Sequence, residues 1–192
     1  PVSLGSEVTA DVVAEANPDV VVYAAGAKHV RPPIPGIEQA HVVEACDVLT
    51  GLALVGARVV VAGGGMIGSE TALYLASIGR QVTIVDQLPA VALEENAARR
   101  YFLMKQLDQY GVQQVVEAII TGIGDDSVSL EQHGSARTLP CDTVVLALGM
   151  TPDVAPLRSI RNIAEVKVIG DAVEAADGLK ASREGFVCGL AL

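Results

Sequence analysis

The chain has 192 residues, 51% of them apolar and 19% charged, so it can bury a real core and is not a charge-dominated disordered polymer. A formal net charge of -10 repels phosphate backbones and sets nucleic-acid partners aside. Mean hydropathy is +0.43, yet no apolar run approaches the ~20 residues of a spanning helix, so no membrane partner is expected.

The chain opens at Pro1 and reads as though already inside a domain, so a piece of a longer polypeptide is expected. Thr9 is a suitable N-cap for a short helix that Pro18 brings to an end. The β-branched run Val20 to Tyr23 then reads as a buried strand stopping at Ala24-Ala25-Gly26. KHVRPPIPGIE, rich in proline, is extended and reads as a connector crossing between domains. From Ala57 the pattern becomes strand, glycine turn, helix, strand. Val59 to Ala62 is the first strand. Ser69, Ala72, Leu73 and Ala76 then recur at helical spacing as a small-residue face, Gly79 suits the helix end, and Gln81 to Val85 forms the second strand. Residues 94 to 110 suggest a longer helix closed by Gly111. Residues 111 to 140 hold short β-type runs parted by GDDS and HGSA, an antiparallel meander of about three strands. CDTVVLALGM returns to a buried strand, VKVIGDA supplies another, and residues 178 to 191 form a terminal helix.

Cys46, Cys141 and Cys188 lie far apart and form no C-x-x-C. That pattern argues against a redox dithiol, a zinc site or an iron–sulfur cluster within these residues. Each cysteine reads as a small hydrophobe in a reducing, cytoplasmic compartment. His29, His41 and His133 stand in ordinary loop contexts, and no nucleophile–base pair is evident, so no catalytic side chain is assigned.

The stretch that carries chemistry is GGGMIGSE, residues 63 to 70, which fits G-x-G-x-x-G at Gly63, Gly65 and Gly68. In that pattern the first glycine makes a tight turn and the second lets main-chain amides approach a pyrophosphate. The third allows close helix–strand packing. Gly64, Met66 and Ile67 complete the turn and open the helix, whose free N–H groups and positive dipole end favour an anion. Alone the pattern is weak in a chain with 19 glycines. Its context strengthens it, because a strand precedes it, a helix follows, and a second strand ends in Asp86, about 20 residues on. The alternative is a purely structural strand–helix turn. A carboxylate at Asp86 accepts from ribose hydroxyls and repels a 2′-phosphate. Neither Gln87 nor the rest of DQLPAVALEE supplies a Lys or Arg, so NADH is favoured over NADPH. Glu70 either complements the helix dipole or serves the nicotinamide end.

Several segments together resemble one group. NPDVVVYAAGAKHVRPPIPG resembles the strand, "ATG" turn and proline-rich crossover of flavoproteins with two dinucleotide-binding domains, with Ala25 in place of the usual threonine and Gly26 kept. VVVAGGGMIGSETALYLASIGRQVTIVD resembles their inserted NAD(P)H domain, and TVVLALGMTPD the glycine turn leaving it, at Gly149. VKVIGDA resembles the strand whose Gly170 and Asp171 meet FAD, a strand-to-helix N-cap being the plain alternative for Asp171. Ala45 to Gly51 and RRYFLMKQLDQYGV are most similar to the enoate reductase, dienoyl-CoA reductase and trimethylamine dehydrogenase group of NADH:flavin oxidoreductases.

The resemblance implies an α/β fold: a Rossmann-like dinucleotide-binding domain with a parallel sheet and an antiparallel β-meander crossover, plus part of a second, FAD-type domain. Residues 52–149 would be the NADH domain, and 1–51 with 150–192 a discontinuous, partial FAD domain. It implies a cytoplasmic oxidoreductase in which NADH delivers hydride to FAD. FMN and an iron–sulfur cluster would belong to an N-terminal flavin barrel upstream, where an unsaturated acid or acyl thioester is reduced. On that reading the isolated segment binds nucleotide without turning over, and the full-length enzyme has room to be a homo-oligomer. The rival reading is a structural ADP-holding or inter-subunit module of an amine-dehydrogenase-like flavoprotein.

Overall fold

The structure is a computed structural model and describes residues 2–192. The chain divides into two compact units, one formed by residues 29–149 and the other by residues 1–28 with 150–192.

The larger unit is organised by a five-stranded parallel sheet. Its strands are β3 (Val42–Glu44), β4 (Arg58–Ala62), β5 (Gln81–Val85), β6 (Gln113–Val115) and β10 (Thr143–Leu146), in the order β3-β10-β4-β5-β6. The register aligns Val60 with Thr83 on one side and with Val144 on the other. β3 pairs with β10 and Ile37 packs into the core, so this unit takes in residues 29–51.

A parallel strand in mid-sheet buries both faces, which is why RVVVA carries no polar alternation. Val59 and Val61 point to one layer with Val82, Ile84 and Val145, where helices α2 (Ala45–Leu49), α3 (Met66–Ser77) and α4 (Ala97–Gln109) pack. Val60 and Ala62 point to the other with Val85, Val144 and Leu146, against the meander. That meander is β7 (Ala118–Ile123), β8 (Ser127–Gln132) and β9 (Ser135–Pro140), antiparallel throughout, and contributes Val128 and Leu130 to the core. The unit is thus three layers deep, helices on sheet on meander.

Local signals explain the boundaries. The small-residue face of α3 buries Ser69, Ala72 and Ala76 against the sheet, with Leu75 fully enclosed. The longer helix begins at Ala97, later than the 94 expected, because the Asn96 side chain accepts the Arg99 N–H and caps it there. At the amino ends of the neighbouring strands β4 and β10, Arg58 and Asp142 clasp each other. Arg58 Nη2 stands 2.6 Å from Asp142 Oδ1, and the Arg58 N–H donates to Oδ2 at 2.8 Å. Cys141 is fully buried beside this clasp, and burial pushes its thiol up to about 11; Cys46 and Cys188 are half-buried.

The smaller unit pairs β1 (Val20–Tyr23) with β12 (Glu165–Val168) in parallel. It also holds α1 (Ala10–Ala16), capped by Thr9 through the Val12 N–H, together with α5 (Leu157–Ile160) and α6 (Gly178–Leu190). Its core is Tyr23, Leu157 and Ala172, and the Tyr23 hydroxyl donates to the Asp153 carbonyl at 2.6 Å. Short strands β2 (Ala27–His29) and β11 (Met150–Pro152) lie where the chain leaves and re-enters this unit. No helix among the described residues is long and apolar enough to cross a membrane.

Leu75→Ala leaves a cavity between α3 and the sheet and should cost about 2–5 kcal/mol, read by urea denaturation. The Arg58 side-chain hydrogen bond, then the Arg58 main-chain N–H, hold the Asp142 carboxyl down to about 2. That value lies below the ~3.9 of an unfolded aspartate, so the ionised form stabilises the fold at neutral pH and the benefit is lost as pH falls from about 4 toward 2. Asp142→Asn should therefore lower the melting temperature at neutral pH, with the gap to wild type narrowing as the solution is acidified below about 4.

Candidate functional site

The glycine turn stands at the carboxyl end of β4, where the sheet order forces successive connections apart, the place where open α/β sheets bind ligands. Gly63 adopts φ +100°, and a β-carbon there would lie 2.3 Å from the Ala147 carbonyl oxygen. At Gly68, on the first turn of α3, a β-carbon would lie 1.9 Å from the Gly63 oxygen. Neither position admits a side chain without moving main chain. The helix is therefore drawn tightly onto the turn, as the fingerprint requires.

The turn is held from three sides. The Gly63 N–H donates to Val85 O at 2.9 Å, and the buried Ser69 hydroxyl donates to Gly64 O at 2.9 Å. The Ala92 N–H reaches the same carbonyl at 2.7 Å. Asp86, only 9% exposed, completes the arrangement: its Oδ2 accepts the Gly64 N–H at 2.5 Å and its Oδ1 accepts the Leu88 N–H at 2.7 Å. The Asp86 main chain is itself clamped, its N–H to Val115 O at 3.0 Å and its carbonyl to the Ala118 N–H at 2.9 Å.

Around this point lies a cleft of about 540 Å³ within the larger unit. Gly63, Gly65, Asp86 and Gln87 line it, together with Gly149 at the exit of β10. Val30, Pro32 and Ile34 of the proline-rich segment and Ile119 of the meander supply apolar walls. The size and the mixture of apolar wall with convergent polar groups suit a nucleotide-sized ligand. Among the described residues, the N–H groups of Gly65, Ile67 and Gly68 meet no acceptor, leaving donors at the helix start for an anion. The residues present thus fit a dinucleotide diphosphate and its ribose.

Of the sequence candidates, Gly63, Gly65, Asp86, Gln87 and Gly149 come together on this cleft, with Gly64, Met66, Ile67 and Gly68 forming the turn and helix start behind it. Glu70 does not join them at the lining. It faces α4, 3.2 Å from Arg99, which also pairs with Glu95 at 2.8 Å. Gly26, Gly170 and Asp171 line a separate cavity of about 260 Å³ in the smaller unit. There Asp171 Oδ1 accepts the Ala176 N–H at 3.3 Å, while the cap of α6 is Asp177, which accepts the Lys180 N–H at 2.8 Å. Glu184 reaches back to the Gly170 N–H at 2.7 Å.

Sequence reasoning missed Glu94, whose Oε1 accepts the Met66 N–H at 2.6 Å, and the wall formed by Val30, Pro32 and Ile34. No spacing rule announces Glu94; the only cue is an acid in an irregular stretch just after the second strand.

Bilirubin reductase of Mediterraneibacter gnavus is 39% identical over 186 residues, covering 96% of this chain and 29% of that protein. NADH oxidase of Thermoanaerobacter brockii is 35% identical over 195 residues, covering 96% of this chain and 30% of the oxidase. Among solved structures, 2-naphthoyl-CoA reductase in complex with 2-naphthoyl-CoA superposes with a TM-score of 0.90 at 31% identity, over 98% of this chain and 29% of that one. The amine oxidase HisD of Pseudomonas geniculata N1 gives a TM-score of 0.84 at 26% identity, over 97% of this chain and 31% of its own. The chain thus spans about three-tenths of the length of these relatives. These neighbours fall in the two-domain flavoprotein group that the sequence resembles. The family described as pyridine nucleotide-disulphide oxidoreductase matches residues 4–185, and with identity above 30% across nearly the whole chain, this protein belongs to that family of oxidoreductases.

Proposed function

We propose that this chain is the nucleotide-binding portion of a larger NADH-dependent flavin oxidoreductase. The NADH-holding elements fall within residues 52–149, the proline-rich segment lending them an apolar wall, and residues 1–28 with 150–192 form part of an FAD-binding domain. Family membership implies FAD and NAD(P)H as the cofactors. The single observation that carries the choice of NADH is the junction of the glycine turn with Asp86: one buried carboxylate shares a cleft with the free amides of the helix start.

When bound, NADH supplies a hydride and FAD accepts it. The chain's own work is positioning. Gly63 to Gly68 present main-chain N–H groups to the diphosphate, and the dipole of α3 favours its charge. Asp86, with Gln87 beside it, takes the adenosine ribose hydroxyls; each carboxylate oxygen still has acceptor capacity after its main-chain hydrogen bond. A 2′-phosphate at the same place would face that carboxylate with no cation to offset it. Glu70, paired with Arg99 away from the cleft lining, complements the dipole of α3, and Gly26, Gly170 and Asp171 keep a proposed contact to FAD. Val30, Pro32 and Ile34 keep water from one wall. The reading assigns FMN, an iron–sulfur cluster and the reduction of an unsaturated acid or acyl thioester to an N-terminal flavin barrel outside these residues. The similarity to a protein named 2-naphthoyl-CoA reductase supports that substrate class.

Titration of the protein with NADH, NADPH and ADP tests this reading. NADH should saturate the site and NADPH bind more weakly; ADP binding far more tightly than NADH would favour the structural ADP-holding module instead. Asp86→Ser with Gln87→Arg should shift the preference toward NADPH, and an unchanged ratio would refute the ribose assignment. Gly68→Ala, which forces the helix off the turn, should abolish NADH binding while circular dichroism still reports a folded α/β protein.

A further inference from the structure

The cleft holds one carboxylate more than dinucleotide binding needs. The Met66 N–H, at the first position of α3, donates to Glu94 Oε1 at 2.6 Å, and a β-carbon at Gly65 would stand 2.8 Å from that same oxygen. Glu94 therefore rests on the amide rim that a diphosphate would use. One N–H cannot serve both acceptors fully, and two anions side by side repel each other.

Asp86 also sits on a turn amide, but it is built to stay. Both of its oxygens are engaged, its main chain is clamped at both ends, and it is almost fully enclosed. Glu94 is built differently. Its side chain is exposed and a single N–H holds it. On one side the chain is anchored by fully buried Val91, whose carbonyl accepts Arg100 Nε at 3.0 Å. Next to it Ala92, at φ 51°, donates its N–H to Gly64 O. On the other side Glu95 is tied to Arg99 and Asn96 caps α4. Leu93 and Glu94 form a two-residue tip between these anchors, so rotation about the Glu94 side-chain torsions alone frees the Met66 N–H.

We propose that Glu94 is a displaceable internal ligand of the dinucleotide site. Its carboxylate and the nucleotide diphosphate are alternative acceptors for the Met66 N–H, and binding requires Glu94 to swing outward, which lowers affinity and speeds release. The inference rests on the dinucleotide reading above.

The test compares wild type, Glu94→Ala and Glu94→Gln by calorimetric titration with NADH, ADP and adenosine. The thermal melts of all three proteins are recorded to confirm folding. Glu94→Ala should bind NADH and ADP about two- to tenfold more tightly, the scale of one carboxylate at a helix N-terminus, and leave adenosine unchanged because adenosine carries no phosphate. Glu94→Gln keeps an acceptor oxygen at the same reach and should gain by a smaller factor. Equal or weaker NADH binding by Glu94→Ala, with wild type binding NADH, would overturn the role of Glu94 and leave the dinucleotide site standing. An equal gain for adenosine would also overturn it, since the effect would then not concern phosphate. Failure of wild type and both variants to bind NADH would reject the dinucleotide reading, and this inference with it.

Discussion

The contact between the Asp86 carboxylate and the Gly64 N–H joins two segments 22 positions apart in the chain, and the shape of the cleft depends on it. It ties the exit of β5 to the turn that leaves β4. A buried carboxylate is tolerable only when its oxygens are satisfied, and here two main-chain N–H groups do so while β6 and β7 hold the peptide on either side. Asp86 also lines the cleft. One residue thus sets the depth of the turn and supplies the acidic wall beside it.

This arrangement presupposes a sheet covered on both faces. The helices occupy one side and the meander the other, and the cleft opens at the carboxyl edge of the strands. Polar groups that converge there come from strand exits and loop backbones, with little freedom of their own. The site is accordingly made of main-chain donors and one fixed acid, a design suited to gripping a charged ligand rather than to proton transfer or nucleophilic attack.

Much of this was legible in the chain. The strand–glycine–helix–strand order, the small-residue face of α3 and the acid closing β5 follow from periodicity and from the steric needs of close packing. The family resemblance rested on those same segments. Other features were not legible, for physical reasons. The proline-rich stretch reads as a connector because proline forbids helix, yet its Val30, Pro32 and Ile34 line the cleft. Only tertiary packing reveals that. Pairing of β3 with β10 brings residues 29–51 into the larger unit, a long-range choice that three residues of strand do not announce. Glu94 sits beyond a left-handed Ala92, where no periodic pattern operates, and Glu70 is diverted toward Arg99 by a neighbour 29 positions away.

The unbroken apolar run of β4 carries a cost in definition. Where polar and apolar residues alternate, sliding a strand by one place would thrust the wrong side chains into the core and be rejected at once. In Val59-Val60-Val61 a slip exchanges valine for valine, and the interior hardly registers the error. Alignment must then be dictated from the ends of the strand. At the entrance the Arg58–Asp142 clasp accepts only one partner, and at the exit the Gly63 N–H finds Val85 O in a single setting. The strand is indexed like a ruler held at both tips, and damage to either tip would blur its alignment before it loosened its packing.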